Sequence, residues 1–484
     1  MSDARSHTYV QPSAVSGTHR APVVGMETSG GATPSGTARH PHFYSGVVTA
    51  SQATAAALLA VASVARTWYR EGKAGRAVID PVVTGHHDRL RFEALSACRG
   101  VYARLDILGD GVNGARIHRG TAHFDVNDPL LTALGRIRSS HPLHLRVGSV
   151  APATRARLDG RNRRRNGHLS QLPLRDFAEA QAIASKLDVH AEVPRLRAQR
   201  VVRALARQGD VRLWAAPVSG TLRLSTLQSP RAVPLPDAGR LAAFQCVAPH
   251  MTSLRLYGPP VTGDAAGSAS AWETALPGMR LTLVPLSGGS GGGLVADRPA
   301  TAAPEAVIDA EVLSMLLSWE ACIDPVTLAA QAGLTVARTR AALACLIGAG
   351  RCGYDAAEAA YFHRRLPFSL REAEPRHPLL VDARALVKSG SVTLNRRSGT
   401  AIVASSGTVH HVRELHGRRT CTCLLWTRHQ GARGLCVHAL AAISALRNGP
   451  AHFAPPCERL PPGGEEGPLV NPDSTCASAG PTRG

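Results

Sequence analysis

The chain has 484 residues, 44% hydrophobic but only 4% aromatic, with 55 Lys and Arg against 35 Asp and Glu, a formal charge of +20 and a pI near 10.5. That length accommodates two to four domains, and the apolar fraction supports cores built mainly on Ala, Leu and Val, which excludes a wholly disordered polyelectrolyte. The most apolar run, 55–65, is far shorter than the ~20 residues that span a bilayer, so no membrane role is expected.

Only three of the basic residues are lysines (Lys73, Lys186, Lys388). The arginine fork suits phosphate and points to nucleic acid. Ala, Gly, Arg and Pro are also high together, as in a GC-rich coding sequence, so charge leaves both readings open. The first forty residues lack the apolar core of a secretory signal, and a cytoplasmic location is expected. In that reducing compartment clustered cysteines favour a metal over disulfides.

Along the chain, 1–40 is poor in hydrophobics and reads as a disordered tail. A helix is predicted at 51–70 with Ser51 as its cap. Alternating runs predict strands at 89–93, 100–108, 121–126 and 143–147, with a helix capped by Asp128 and opened by Pro129 among them. Helices follow at 178–187 and 195–208, then strands at 211–214, 221–225, 254–257 and within 272–285. The arginine-rich stretch 154–168 reads as a solvated hairpin tip, with a phosphate-contact loop as the other reading. This is an α+β pattern, and 41–285 is taken as the N-terminal domain. The Gly/Pro-rich stretch 286–305 is a linker; it lacks the Gly-Lys-Ser/Thr ending of a phosphate loop.

In 306–368, Asp309 can cap a first helix with Val312, Leu313, Leu316 and Leu317 on one face. Asp324-Pro325 starts a second helix reaching Ala332. Gly333 breaks it, and Thr335 caps a third through Ile347. Two short strands around 355–359 complete a winged-helix-like module. In a DNA reader the third helix enters the major groove, with Arg338 and Arg340 as its contacts. The rest of that helix is small or apolar, which fits a structural or protein-docking role equally well.

Residues 421–438 read CTCLLWTRHQGARGLCVH. Cys421 and Cys423 share one face of a predicted strand. Cys436 and His438 open a helix, where backbone amides favour a thiolate. Three sulfurs and one nitrogen complete a tetrahedral zinc shell and leave no open position for catalysis. His410, His411, His416 and His429 read as ordinary strand or loop histidines. The redox spacing Cys-x-x-Cys is not present there.

Cys-x-Cys, twelve intervening residues, then Cys-x-His on a ββα unit resembles the SWIM zinc finger, placed at 369–448 before a disordered tail at 449–484. FYSG at 43–46, DPVVTG at 80–85, DRLRFE at 88–93, VYARLD at 101–106, DVNDP at 125–129, YGPP at 257–260, GYD at 353–355 and AYFHRRLP at 360–367 extend the resemblance to bacterial, chiefly actinobacterial, SWIM-finger proteins. The resemblance implies Zn2+ and binding to DNA, RNA or protein. It also implies an AAA+ ATPase and a von Willebrand A-domain protein as genomic neighbours.

The expected function is therefore a structural zinc finger used for nucleic-acid or protein interaction. Arg413, Arg418, Arg419, Arg428 and Arg433 join Arg338 and Arg340 as nucleic-acid contacts, and the loop 424–435, with Trp426, is on display. The alternative is a protein-binding adaptor for an AAA+ ATPase. A third reading is an enzymatic N-terminal domain. Asp106, His123, Asp125 and Asp128 could be gathered for it, but no nucleophile elbow, HExxH, P-loop or dinucleotide fingerprint accompanies them.

Overall fold

A computed structural model describes residues 7–18, 20–69, 79–114, 116–138, 141–149, 163–165, 172–208, 211–229, 231–260, 269–286, 304–368, 378–395, 398–415, 418–429 and 435–448. Helices and strands are mixed throughout, an α+β architecture. The expected linker falls almost wholly, and the C-terminal tail wholly, outside the described residues.

In the strand Arg89–Leu95, Leu90, Phe92 and Ala94 alternate with Arg91 and Glu93. Strand geometry sends the two sets to opposite faces. The same alternation runs through the neighbours of this strand in a ten-stranded antiparallel sheet. Its order is Asp188–Pro194, Ser253–Gly258, Ala271–Leu276, Met279–Pro285, Val101–Leu108, Arg89–Leu95, Val82–Gly85, Gly120–Phe124, Thr28–Thr33 and Gly36–Ala38.

One face is apolar. Phe92, Leu105, Ile107, Leu281 and Leu283 lie in the main core with Leu58, Val61 and Val64 of the helix Ser51–Arg66. Ser51 does not cap that helix; the cap position is Ala50, and the Ser51 hydroxyl donates to the His141 carbonyl, 2.8 Å. The helix Asp128–Arg136 packs beside it, capped by Asn127 rather than Asp128.

The segment 1–40, expected as a tail, is structured over most of its length. Ala21–Met26 is paired within a five-stranded sheet, between Ala14–Thr18 and Leu143–Val147, and Thr28–Thr33 and Gly36–Ala38 extend the large sheet. The segment is polar but small. Thr28 and Ser29 are buried, and a Cβ at Gly31 would lie 2.5 Å from the Thr121 carbonyl oxygen. Backbone pairing to strands far along the chain supplies what its side chains lack. Of the basic stretch 154–168, only 163–165 is described, as a strand paired with His7–Tyr9.

The other face of the large sheet is charged. Glu192, Arg255, Glu273, Thr282, Arg104 and Glu93 stand opposite one another across six strands. Arg280, Asp106, Arg91, Thr84 and Thr121 form the next row. Opposite charges directly across strands stabilise a sheet. The central members are buried because a hairpin, Cys352–Asp355 with Ala360–His363, lies over them.

Asp355 accepts from Arg91 (3.0 Å), Arg104 (2.9 Å) and Arg280 (2.9 Å), while Glu358 accepts from Arg89 and Arg280. Arg91 and Arg104 also hold Asp106, and Arg364 pairs with Glu93. The Arg91 guanidinium lies 3.6 Å over the Phe362 ring. His86, pushed down to about 3 by burial, is neutral and donates from Nε2 to the His363 carbonyl, 3.0 Å. Burial alone would raise the Asp106 and Asp355 carboxyls; the guanidiniums, Arg104 foremost, outweigh it and hold both below the usual carboxylate range.

Before the hairpin come the helices Pro304–Leu316, Pro325–Ala332 and Val336–Gly348, around Leu313, Leu328, Leu343 and Leu346. Asp324 caps the second, Gly333 takes φ +67°, and Thr335 caps the third. Asp309 lies inside the first helix rather than at its start. Ile323 bridges to Tyr361. The hairpin, expected as a wing, is docked on the sheet instead of facing solvent, because its carboxylates neutralise the arginine row.

Replacing Asp355 with Asn leaves buried guanidiniums short of one counter-charge and is expected to cost about 3–5 kcal/mol in urea unfolding. Asp128→Asn, which breaks the exposed pair with Arg66, should cost no more than about 1 kcal/mol. Because the Asp106 and Asp355 carboxyls are depressed, the stability they contribute is complete above about pH 4. It is lost as the pH falls through their lower native values, and a pH series of melts reads it.

Candidate metal centre

The C-terminal module is larger than the expected ββα unit. Val392–Asn395, Thr400–Ser405, Thr408–Leu415 and Arg418–Cys421 form a four-stranded sheet. The helices Pro378–Lys388 and Val437–Asn448 cover one face through Leu380, Val403, Val412, Leu440 and Ile443.

Cys421 ends its strand. Pairing runs on through Thr422, whose N–H donates to the His411 carbonyl (3.1 Å) and whose hydroxyl accepts from the His411 N–H (2.9 Å). Cys423 lies beyond this pairing and is not a strand residue. It follows in a bend, and its carbonyl accepts from the Thr427 N–H, opening the helix Leu424–His429. Cys436 precedes the helix Val437–Asn448, and the Ala439 N–H donates to its Sγ, 3.4 Å. His438 lies in the first turn, with Nδ1 3.9 Å from Cys421 Sγ.

All four side chains are buried, and their ligand atoms lie within 4.8 Å of one another. Tetrahedral zinc, at about 2.3 Å from sulfur and 2.0–2.1 Å from nitrogen, sets ligand atoms roughly 3.5–3.8 Å apart, so this donor set fits that ion after small adjustments. The hydrogen bond between Cys421 and Cys436 lowers the first thiol and pushes the second up to about 12, while burial raises Cys423. Three thiols this close resist joint ionisation. A divalent cation held by them would remove that resistance, since a coordinating thiol is deprotonated outright.

His410, expected as an ordinary strand or loop histidine, lies in the strand Thr408–Leu415 and outside the four-residue cluster, yet it touches one member of it. Its ring stacks on His438, centroids 3.8 Å apart at 27°. The signal was register: His410 lies two residues before Val412, the cross-strand partner of Cys421, and so faces the same side. Burial, then the His438 ring, lowers its pKa. His411 faces solvent. His416 and the His429 side chain lie outside the described residues.

The candidate arginines are not gathered into one patch. Arg338 is held by Asp309 at 2.7 and 2.9 Å, whereas Arg340 is exposed. Arg413 is exposed on the sheet face away from the cysteines, Arg428 is exposed on the helix Leu424–His429, and Arg419 is half-buried. Arg433 and the Arg418 side chain lie outside the described residues. Trp426 packs half-buried against the module's core instead of being displayed; Leu424, 63% exposed, and Leu425 are the open positions.

The front-domain acids do not converge either. Asp106 belongs to the arginine lattice and Asp128 pairs with Arg66. Asp125 accepts from the Ser13 N–H and Asn127 Nδ2, and His123 Nδ1 lies 3.2 Å from the Asp80 carbonyl. No helix of the described residues is long and apolar enough to cross a membrane.

Cys436→Ser is expected to abolish stoichiometric zinc uptake and to leave Pro378–Asn448 protease-sensitive, while the large sheet keeps its thermal transition. Metal counting and limited proteolysis check this; full zinc retention would remove Cys436 from the ligand set.

No family model and no curated protein matches the chain. Among solved structures, the Proliferating Cellular Nuclear Antigen from Entamoeba histolytica is similar at 10% identity, covering 51% of this chain and 99% of that one, with a TM-score of 0.31. The PCNA2-PCNA3 complex from Sulfolobus tokodaii is similar at 8% identity, covering 50% and 98%, with a TM-score of 0.32. At those TM-scores neither likeness bears on function.

Proposed function

We propose that the protein is a zinc-stabilised interaction protein whose C-terminal module, a SWIM-type finger, engages nucleic acid electrostatically. The observation that carries the metal reading is the convergence of four buried ligand atoms from a strand end, a bend and a helix start. With four protein ligands the ion is structural, worth about 10–16 kcal/mol to such a unit. Residues 304–363 are read as winged-helix-like from the order of helices and hairpin and from the Ile323–Tyr361 bridge. With the hairpin docked and Arg338 paired, that module acts as scaffold. Nucleic-acid contact then rests on Arg413 and Arg428 of the C-terminal module, and the exposed Arg340 is the contact the scaffold adds.

A second reading is favoured by the exposed Leu424 and Leu425 beside the site: a protein-binding adaptor, for example to an AAA+ ATPase. Salt separates the two. For the full chain on a labelled DNA duplex, the log affinity should fall linearly with log salt. Arg413→Gln with Arg428→Gln should lower that slope by about 2. An unchanged slope, with a protein partner retained in pulldown only while Leu424 and Leu425 are intact, selects the adaptor.

A further inference from the structure

The helix Arg195–Ala206 and the residue after it carry Arg195, Arg197, Arg200, Arg203 and Arg207, with no acidic residue between them. The helix buries Ala198, Val201, Val202 and Leu205 in the main core, and all five arginines are exposed. Arg195 and Arg197 hold backbone carbonyls of Pro249, Ser219 and Gly220. The side chains of Arg200, Arg203 and Arg207 make no hydrogen bond or ion pair among the described residues. Arg223, on the packed strand Thr221–Ser225, is exposed as well.

This arrangement works against the helix. Like charges three and four residues apart repel. Arg195 opposes the dipole at the N-terminus, where no acid lies in the first turn and no side chain caps the helix. Nor is it a general outcome of an arginine-rich chain, because Arg89, Arg91, Arg104 and Arg280 are each matched by acids.

We propose that this stripe is a nucleic-acid surface, independent of the cysteine module, that seats on the phosphates of a duplex. Arg200, Arg203 and Arg207 follow an i, i+3, i+7 row about 10 Å long, and a duplex offers one phosphate charge per ~1.7 Å of axis. The helix carries no aromatic side chain on which single-stranded bases stack. An acidic membrane is disfavoured because the helix spends its apolar face on the protein core; only Leu196, 70% exposed, is left to insert.

The test is duplex binding by the full zinc-loaded chain across a salt series. Arg200→Gln with Arg203→Gln and Arg207→Gln should weaken binding at least tenfold near 50 mM salt and lower the log–log slope by about 3. Arg203→Gln alone, at an exposed position, should lower it by about 1, so the reading does not hang on the triple variant folding. Arg20→Gln with Arg39→Gln and Arg119→Gln removes the same charge from exposed sites elsewhere and should leave the slope nearly unchanged. Equal losses from the two triple variants, or none from the stripe, overturn the proposal. So does stripe-dependent binding to phosphatidylserine vesicles without duplex binding. The Arg413 and Arg428 variants retain the stripe, so the two surfaces fail or stand separately.

Discussion

The structure depends on one electrostatic constraint: the second face of the large sheet is charged and must be buried in matched pairs. Stripping water from a guanidinium or a carboxylate costs several kcal/mol, recovered only where opposite charges meet with good geometry. Two rows of cross-strand pairs supply part of the match within the sheet. Asp355, Glu358 and Arg364 supply the rest from more than 200 residues away. The three-helix module is consequently fixed through its hairpin, and its third helix carries one arginine already spent on Asp309.

The cysteine module is built on a different principle. Its helices and sheet share a small core that includes Cys421, Cys423 and Cys436 themselves, so the candidate metal ligands double as core residues. A His410 ring stacked on His438 restrains the imidazole from the side. Such outer contacts orient a ligand and tune its basicity. The module is held together from its centre, which leaves its outer sheet face and much of the helix Leu424–His429 exposed.

Local signals were legible in the sequence. Asp324, Gly333 and Thr335 act within a turn of their own positions, and the cysteine spacing needs only one strand end and one helix start. Signals that depend on distant partners were not. The motifs around Arg91, Arg104, Asp355 and Arg364 could be singled out, but only the folded sheet shows that they are one lattice. Arg338 reads as a free contact until Asp309 is seen beside it. The strands of 7–38 escaped because Gly, Ser and Thr supply shape rather than hydrophobicity, and their stability comes from neighbours. The sequence pattern around 195–206 indicates a helix, but the isolation of the Arg200, Arg203 and Arg207 side chains shows only when their surroundings are known.

The charged face also bears on how the chain is made. Arg91 and Asp355 are 264 residues apart, and Arg364 lies 271 residues from Glu93. At synthesis rates of 5–20 residues per second, the sheet's inner strands wait about 13–50 s for their cover to leave the ribosome. An apolar face left bare for that time would invite aggregation; a face of arginines and carboxylates stays hydrated. The lattice thus lets the nascent sheet remain soluble while half-built, and becomes dry only when the hairpin arrives to close it.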